Sequence, residues 1–78
     1  MRYVIEMKVD EIIQKLNDRK PAVVSPTVKI YAMDIQNKGV MIACVTEYSH
    51  SSIMLDKNQD MKTQVVSLLK RVANYSGD

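Results

Sequence analysis

The sequence predicts an α+β domain in which two helices pack on one face of a small antiparallel sheet. Three observations predict it: an apolar stripe with helical spacing in the last third of the chain, a strand–turn–strand pattern in the middle, and a shorter helical stripe near residue 12. The predicted order is helix, strand, strand, strand, helix, and a fourth strand in front of the first helix is an open alternative. The 78 residues form a single domain, because the chain is too short for two.

The first block, residues 1–20, has two interpretations. In one, a single helix follows an apolar stripe formed by Ile5, Val9, Ile12, Ile13 and Leu16. In the other, Asp10 caps a shorter helix, and residues 2–8 form a strand with alternating side chains. Both place a helix at about residues 10–18. The helix has to end by Lys20, because Pro21 disfavours helical geometry in the residue before it.

The middle block predicts a stiff connection followed by a β-hairpin. Residues 21–26 begin and end with proline and are interpreted as the connection. The hairpin strands are predicted at 27–35 and 40–48. The turn between them is residues 36–39, in which Gly39 is free to adopt a positive φ.

The last block predicts a third strand and a long helix. Residues 49–52 are polar and are interpreted as a loop, and residues 53–55 as a short strand. Asp56 or Asp60 is expected to cap the helix, and Gly77 fits its end. The apolar face of this helix consists of Met61, Val65, Leu68, Leu69, Val72 and Tyr75.

Both faces of the predicted hairpin are apolar near its centre, although a sheet covered on one side should alternate apolar and polar residues. One face contains Val28, Ile30, Ala32, Val40, Ile42 and Cys44, and the other contains Lys29, Tyr31, Met33, Ile35, Met41, Ala43 and Val45. Either residues 21–26 or the chain start cover the second face, or it is an interface. The interface hypothesis names as binding residues Lys29, Tyr31, Met33, Lys38, Met41 and Lys57.

Composition argues against several other classes. The formal charge of +2 is too small for a dedicated non-specific nucleic-acid binder. One cysteine and one histidine supply neither an internal disulfide nor the usual zinc ligands, so no metal or cofactor is expected. No apolar run approaches the roughly 20 residues of a membrane span. An early acid near the N-terminus predicts no signal peptide, and a lone cysteine fits a reducing, cytoplasmic location.

The sequence offers little for catalysis, and we predict that the protein is not an enzyme. His50 lies between serines, but sequence neighbours rarely reach the geometry of a base and its nucleophile, so it is expected to be a solvated loop residue. Cys44 lies within a strand without an adjacent cation, which predicts a core thiol. Asp34, Glu47 and the acids before the last helix fit turns and caps. No glycine-rich phosphate loop and no small-molecule substrate are evident.

Three short segments resemble the small Alu-domain subunits of the signal recognition particle. The resemblance is carried by Val-Lys-Ile-Tyr at 28–31, Cys-Val-Thr-Glu at 44–47 and Asn-Gln-Asp-Met-Lys at 58–62. It implies a helix, three antiparallel strands and a helix, dimerisation through the sheets, and RNA binding on the open face by Lys29, Tyr31, Lys38 and Lys57. This chain departs from that family because its end lacks a basic tail, the hairpin turn is too short for a basic loop, and the first helix lacks the expected aromatic.

The sequence thus predicts a macromolecule-binding module that acts through an apolar, tyrosine- and lysine-bearing sheet face. The favoured partner is another protein, as for a small inhibitor or adaptor, or a second copy of the chain in a homodimer. The modest net charge favours protein over nucleic acid. The alternative is a structured RNA, bound as in the Alu-domain subunits or in double-stranded-RNA-binding domains.

Overall fold

The computed structural model describes residues 7–73, and these form two helices and one four-stranded sheet. The elements are α1 (Val9–Asn17), β1 (Ala22–Ser25), β2 (Val28–Ile35), β3 (Gly39–Val45), β4 (His50–Met54) and α2 (Met61–Ala73). Every strand is antiparallel to its neighbour, and the spatial order β1-β2-β3-β4 follows the chain. The predicted α+β class, with both helices against one sheet, is confirmed. In residues 7–73 no helix has the length and apolar character needed to cross a membrane.

Helix α1 follows the shorter helical stripe of the sequence and buries Val9, Ile12 and Leu16. The prediction that Asp10 caps it is wrong. The N-cap is Lys8, whose side chain makes no capping hydrogen bond, and Asp10 lies in the first turn, where a carboxylate interacts favourably with the helix dipole. Most of the alternative strand at 2–8 lies outside the described residues, and Met7 and Lys8 belong to neither a helix nor a strand.

The end of α1 is closed by a hydrogen-bonded turn with Arg19 in the left-handed region. The Arg19 amide donates to the carbonyl of Leu16 at 3.1 Å and the Lys20 amide to that of Lys15 at 2.8 Å, and Arg19 has φ +55°. Its guanidinium also donates to both carboxylate oxygens of Asp34 on β2, at 2.9 and 3.0 Å. A bidentate ion pair therefore connects the end of α1 to the sheet.

Residues 22–25 form strand β1, so their interpretation as a connection is wrong. Ala22 and Val24 are fully buried under the helices, and this burial outweighs the flanking prolines. Proline is tolerated here because β1 is an edge strand with only one hydrogen-bonded neighbour. The pairing of β1 with β2 is irregular between Val23 and Ser25.

The predicted hairpin is confirmed, with a shorter second strand. In its turn the Lys38 amide donates to the carbonyl of Ile35 at 3.0 Å, while Asn37 and Gly39 have φ +65° and +114°. Strand β3 ends at Val45 because Thr46 starts a new turn, in which its hydroxyl accepts from the amide of Ser49 at 3.0 Å.

Strand β4 begins at His50, so the prediction of a loop over 49–52 is wrong for residues 50–52. Ser51 and Ser52 are polar enough to suggest a loop, but each is directly opposite a residue of β3. An edge strand next to solvent tolerates such side chains. The strand predicted at 53–55 is the second half of β4, which ends at Met54.

The core lies between the sheet and the two helices. It is built from Ile12, Leu16, Ala22, Val24, Val28, Ile30, Ala32, Ile42, Cys44, Val65, Leu68, Leu69 and Ala73. Asp60 caps α2, as one of the two predicted alternatives, by accepting from the Thr63 amide at 3.2 Å and the Thr63 hydroxyl at 3.0 Å. The predicted roles of Tyr75 and Gly77 fall outside the described residues.

Candidate interaction face

The sheet turns one face toward the helices and the other away from them. Alternation along each strand places neighbouring residues on opposite faces, and directly paired residues on the same face. Because Ile30, Ile42 and Cys44 are in the core, their chain neighbours point away from the helices. We call this second surface the outer sheet face; it contains Val23, Lys29, Tyr31, Met33, Ile35, Met41, Ala43, Val45, His50, Ser52 and Met54.

Three methionines form a row across the outer sheet face. Met33 on β2 is directly opposite Met41 on β3, and Met41 is directly opposite Met54 on β4. Met33 and Met54 are 46% and 45% exposed, and Met41 is half-buried between them. This methionine row is a continuous apolar strip of flexible, polarisable side chains, which adapt readily to the shape of a partner.

A second row at the other end of the outer sheet face carries the basic groups. Val23, Lys29, Val45 and His50 are cross-strand neighbours in that order. Val23 is 59% exposed, and Lys29 and His50 are also exposed. Among residues 7–73, the strand residues of the outer sheet face include no Asp or Glu, so their charge is positive or neutral.

Four of the six predicted interface residues lie on this face: Lys29, Tyr31, Met33 and Met41. The other two, Lys38 and Lys57, are exposed residues of connecting segments at the opposite end of the sheet from Lys29. Lys38 is in the β2–β3 turn, and Lys57 follows Leu55, whose amide donates to the carbonyl of Val40 at 2.7 Å. The basic residues therefore lie on both sides of the methionine row, toward the two ends of the strands.

Sequence reasoning missed Met54 and Val23. Met54 belongs to the methionine row only because of the β4 register, which the turn at residues 46–49 sets. Val23 was assigned to the connection that turned out to be β1. The alternative that residues 21–26 cover the outer sheet face is wrong, because β1 extends the sheet at its edge. The other alternative, the chain start, lies outside the described residues.

The two side chains considered for catalysis, Cys44 and His50, lie in a buried and an exposed strand position. Cys44 is fully buried in the core, as predicted, and burial raises the pKa of its thiol to about 11, which disfavours the reactive thiolate. His50 is exposed as predicted, but it begins strand β4 rather than lying in a loop. Residues 7–73 contain no group of three or more His, Cys, Asp or Glu side chains that would hold a metal ion.

The carboxylates act locally. Asp34 accepts from Arg19, which lowers the pKa of that carboxyl through the side-chain hydrogen bond. Asp56 accepts from the amide of Asn58 at 2.9 Å, and Asp60 caps α2. Glu47 lies in the exposed turn between β3 and β4. Asp56 and Asp60 share the connection before α2, whereas Asp34 and Glu47 lie elsewhere in the fold.

Comparisons with protein-family models, curated proteins and solved structures found no match to this chain.

Proposed function

We propose that this domain is a non-catalytic protein-binding module, an inhibitor or adaptor, that docks its partner on the outer sheet face. The observation that carries the proposal is the methionine row, Met33–Met41–Met54, with basic residues at either end of the strands. Large exposed apolar side chains gathered in one place are typical of interaction surfaces in small proteins. Methionine and tyrosine are both enriched in such surfaces.

The chemistry of the face defines the kind of partner. The centre requires an apolar counterpart, which the methionine side chains contact by repacking. The absence of acids from the face, together with Lys29, Lys38 and Lys57 around it, favours a partner whose contact region has acidic residues at its rim. The rim charges would mainly set the rate of association, and the apolar centre the lifetime of the complex.

Site-specific photo-crosslinking tests this proposal. A photoreactive phenylalanine analogue at Met33, in the methionine row, is compared with the same analogue at Lys70, which is exposed on α2. We expect a discrete protein adduct from position 33 only, and its loss when Tyr31→Glu is added. Circular dichroism confirms that the variants are folded. Identical products from both positions, or adducts that persist with Tyr31→Glu, would contradict the proposal.

Structured RNA is the second candidate partner. Lys29 and Tyr31 are on the same strand and the same face, with His50 two strands away in the row of Lys29. A cation beside an aromatic ring suits a phosphate next to a base or sugar. The resemblance to the Alu-domain subunits also points to RNA.

Salt dependence separates RNA from protein. If RNA is the partner, affinity for a structured RNA falls steeply with salt, and Lys29→Ala lowers the logarithmic slope by about one. The control is Lys70→Ala on the helix layer. Binding that ignores salt, or that the two variants affect equally, would reject RNA as the ligand of this face.

A further inference from the structure

The free edges of the sheet differ in how well they are protected. Unpaired edge strands tend to add another strand, and proteins commonly block them with prolines, charges, bulges or short length. Strand β1 has four residues, lies between Pro21 and Pro26, and pairs irregularly with β2. Strand β4 has five residues, His-Ser-Ser-Ile-Met, without proline, lysine or acid. Among residues 7–73, no strand pairs with the free edge of β4.

The hydrogen-bond pattern shows which groups of β4 are available. The amides of Thr46 and Leu55 donate to the carbonyls of Ser49 and Val40, at 2.8 and 2.7 Å. In an antiparallel pair, hydrogen-bonded and non-hydrogen-bonded residue pairs alternate. Ser51 and Ile53 therefore bond to β3. The amides and carbonyls of His50, Ser52 and Met54 point the other way, out of the sheet edge, and these residues are exposed.

We infer that β4 pairs antiparallel with β4 of a second copy of this chain, about a two-fold axis through Ser52. In this register Ser52 is opposite Ser52 of the second copy, and His50 is opposite Met54 at both ends. All outward amides and carbonyls of β4 then find partners, as an isologous two-fold interface requires. No like charges are brought together along the paired strands, because β4 contains no Lys, Arg, Asp or Glu.

In this register both the sheet and the helix layer continue from one copy into the second. Because the two-fold axis is perpendicular to the sheet, the helices of both copies lie on one side of an eight-stranded sheet made of two four-stranded ones. On the helix side, half-buried Ile53 is covered by Ser51 of the second copy. On the outer sheet face, Met54 of the methionine row meets His50 of the second copy, so the two faces become one surface. A strand of an unrelated protein would gain the backbone bonds but not this matching of side chains.

A charge exchange at the two-fold axis tests the inference. Ser52→Lys places two lysines directly opposite each other, and Ser52→Glu two glutamates, so each variant alone should dimerise up to about fivefold more weakly than wild type. Mixed in equal amounts, the variants should form a heterodimer, because lysine then faces glutamate. Val23→Glu is the matched control for Ser52→Glu, since it adds the same charge to the outer sheet face at the other edge strand, where it is opposite Lys29. Circular dichroism verifies folding of each variant.

Light scattering over a concentration series up to about 0.3 mM gives the mass. We expect wild type and Val23→Glu to approach twice the 8.9 kDa of one chain, and each position-52 variant to have a lower mass than wild type at the same concentration until the two are mixed. Amide exchange supplies a second measurement: the outward amides of His50, Ser52 and Met54 should be protected only in the dimer. A wild-type monomer throughout the series, or a dimer indifferent to both position-52 variants, would overturn the inference.

Discussion

Two residues of β2 should lose different amounts of stability on truncation, because Ile30 faces the core and Met33 faces outward. Ile30 is fully buried, and Ile30→Ala is expected to lower the free energy of unfolding by about 2–5 kcal/mol, which includes the cavity left behind. Met33 is 46% exposed. Full burial of such a side chain contributes about 1.5–3 kcal/mol, so its half-burial contributes about 1 kcal/mol, and its removal leaves a space open to water rather than a cavity.

Urea denaturation followed by circular dichroism measures both changes. A domain of this size unfolds with a slope of about 1 kcal/mol per molar urea, so Met33→Ala should move the midpoint by about 1 M and Ile30→Ala by at least about 2 M. Equal slopes would show that the variants differ in stability alone. If Met33→Ala costs as much as Ile30→Ala, the methionine is covered within the folded chain. The outer sheet face would then be unavailable to a partner, and the proposed function would fail with it.

Three further predictions concern side chains away from the outer sheet face. Ser25 is buried and its hydroxyl has no hydrogen-bond partner among residues 7–73, so Ser25→Ala should raise the free energy of unfolding by about 1 kcal/mol in the same urea assay; a loss of stability would mean that the hydroxyl is bonded. Burial raises the pKa of the Cys44 thiol from 9.0 to about 11, so the thiol's contribution to the free energy of unfolding is fully present below pH 9. As the pH rises to 11, at most about 3 kcal/mol of that contribution is lost. Cys44→Ala should not show this loss, and parallel profiles of unfolding free energy against pH for the two proteins would refute the prediction. The hydrogen bond from Arg19 lowers the pKa of Asp34, so the difference in urea midpoint between wild type and Asp34→Asn should be present above pH 3.8 and shrink as the pH falls through the lowered pKa; a difference independent of pH would exclude the ion pair as its source.

The parts of the fold that sequence predicted are those in which local pattern and tertiary packing agree. The stripe of α2 includes Val65, Leu68 and Leu69, all of which are buried, and its start coincides with a capping aspartate. The central hairpin was predictable for a similar reason, because Gly39 permits the turn and the flanking segments have strand composition. In both cases the spacing of the apolar residues matches the face that the element buries.

Strand β1 and the first half of β4 were missed because tertiary pairing outweighs their local preference. Strand β1 is bounded by prolines, which suggest a connection, yet Ala22 and Val24 fill the core. Strand β4 starts with His50 and two serines, and their strand conformation comes from pairing with β3. Strand preferences depend strongly on such surroundings, so composition alone does not locate edge strands.

The same cause limited what could be predicted of the interaction face. Alternation within the hairpin placed Tyr31, Met33 and Met41 together, since it requires only that the two strands pair. The position of Met54 next to Met41 depends on the register of β4, and the register depends on the turn that Thr46 closes. One residue of slippage would move Met54 to the helix side and Ile53 to the outer sheet face. The methionine row is thus a property of the folded sheet rather than of any segment of the sequence.

The two proposals use different atoms, and this makes them separable by experiment. Partner binding depends on side chains of the outer sheet face, such as Met33 and Tyr31 on β2, whereas strand pairing depends on backbone groups of β4. Tyr31→Glu adds a charge on β2, two strands away from the free edge of β4, so it should abolish the protein adduct from position 33 and leave the dimer intact. Lysine at position 52 should weaken the dimer. Because Ser52 also lies on the outer sheet face, in the row of Tyr31 and Ala43, its effect on the adduct does not separate the two proposals. If instead Tyr31→Glu also weakens the dimer, the outer sheet face and the β4 edge act as one surface, and Met54 beside His50 of the second copy would be its centre.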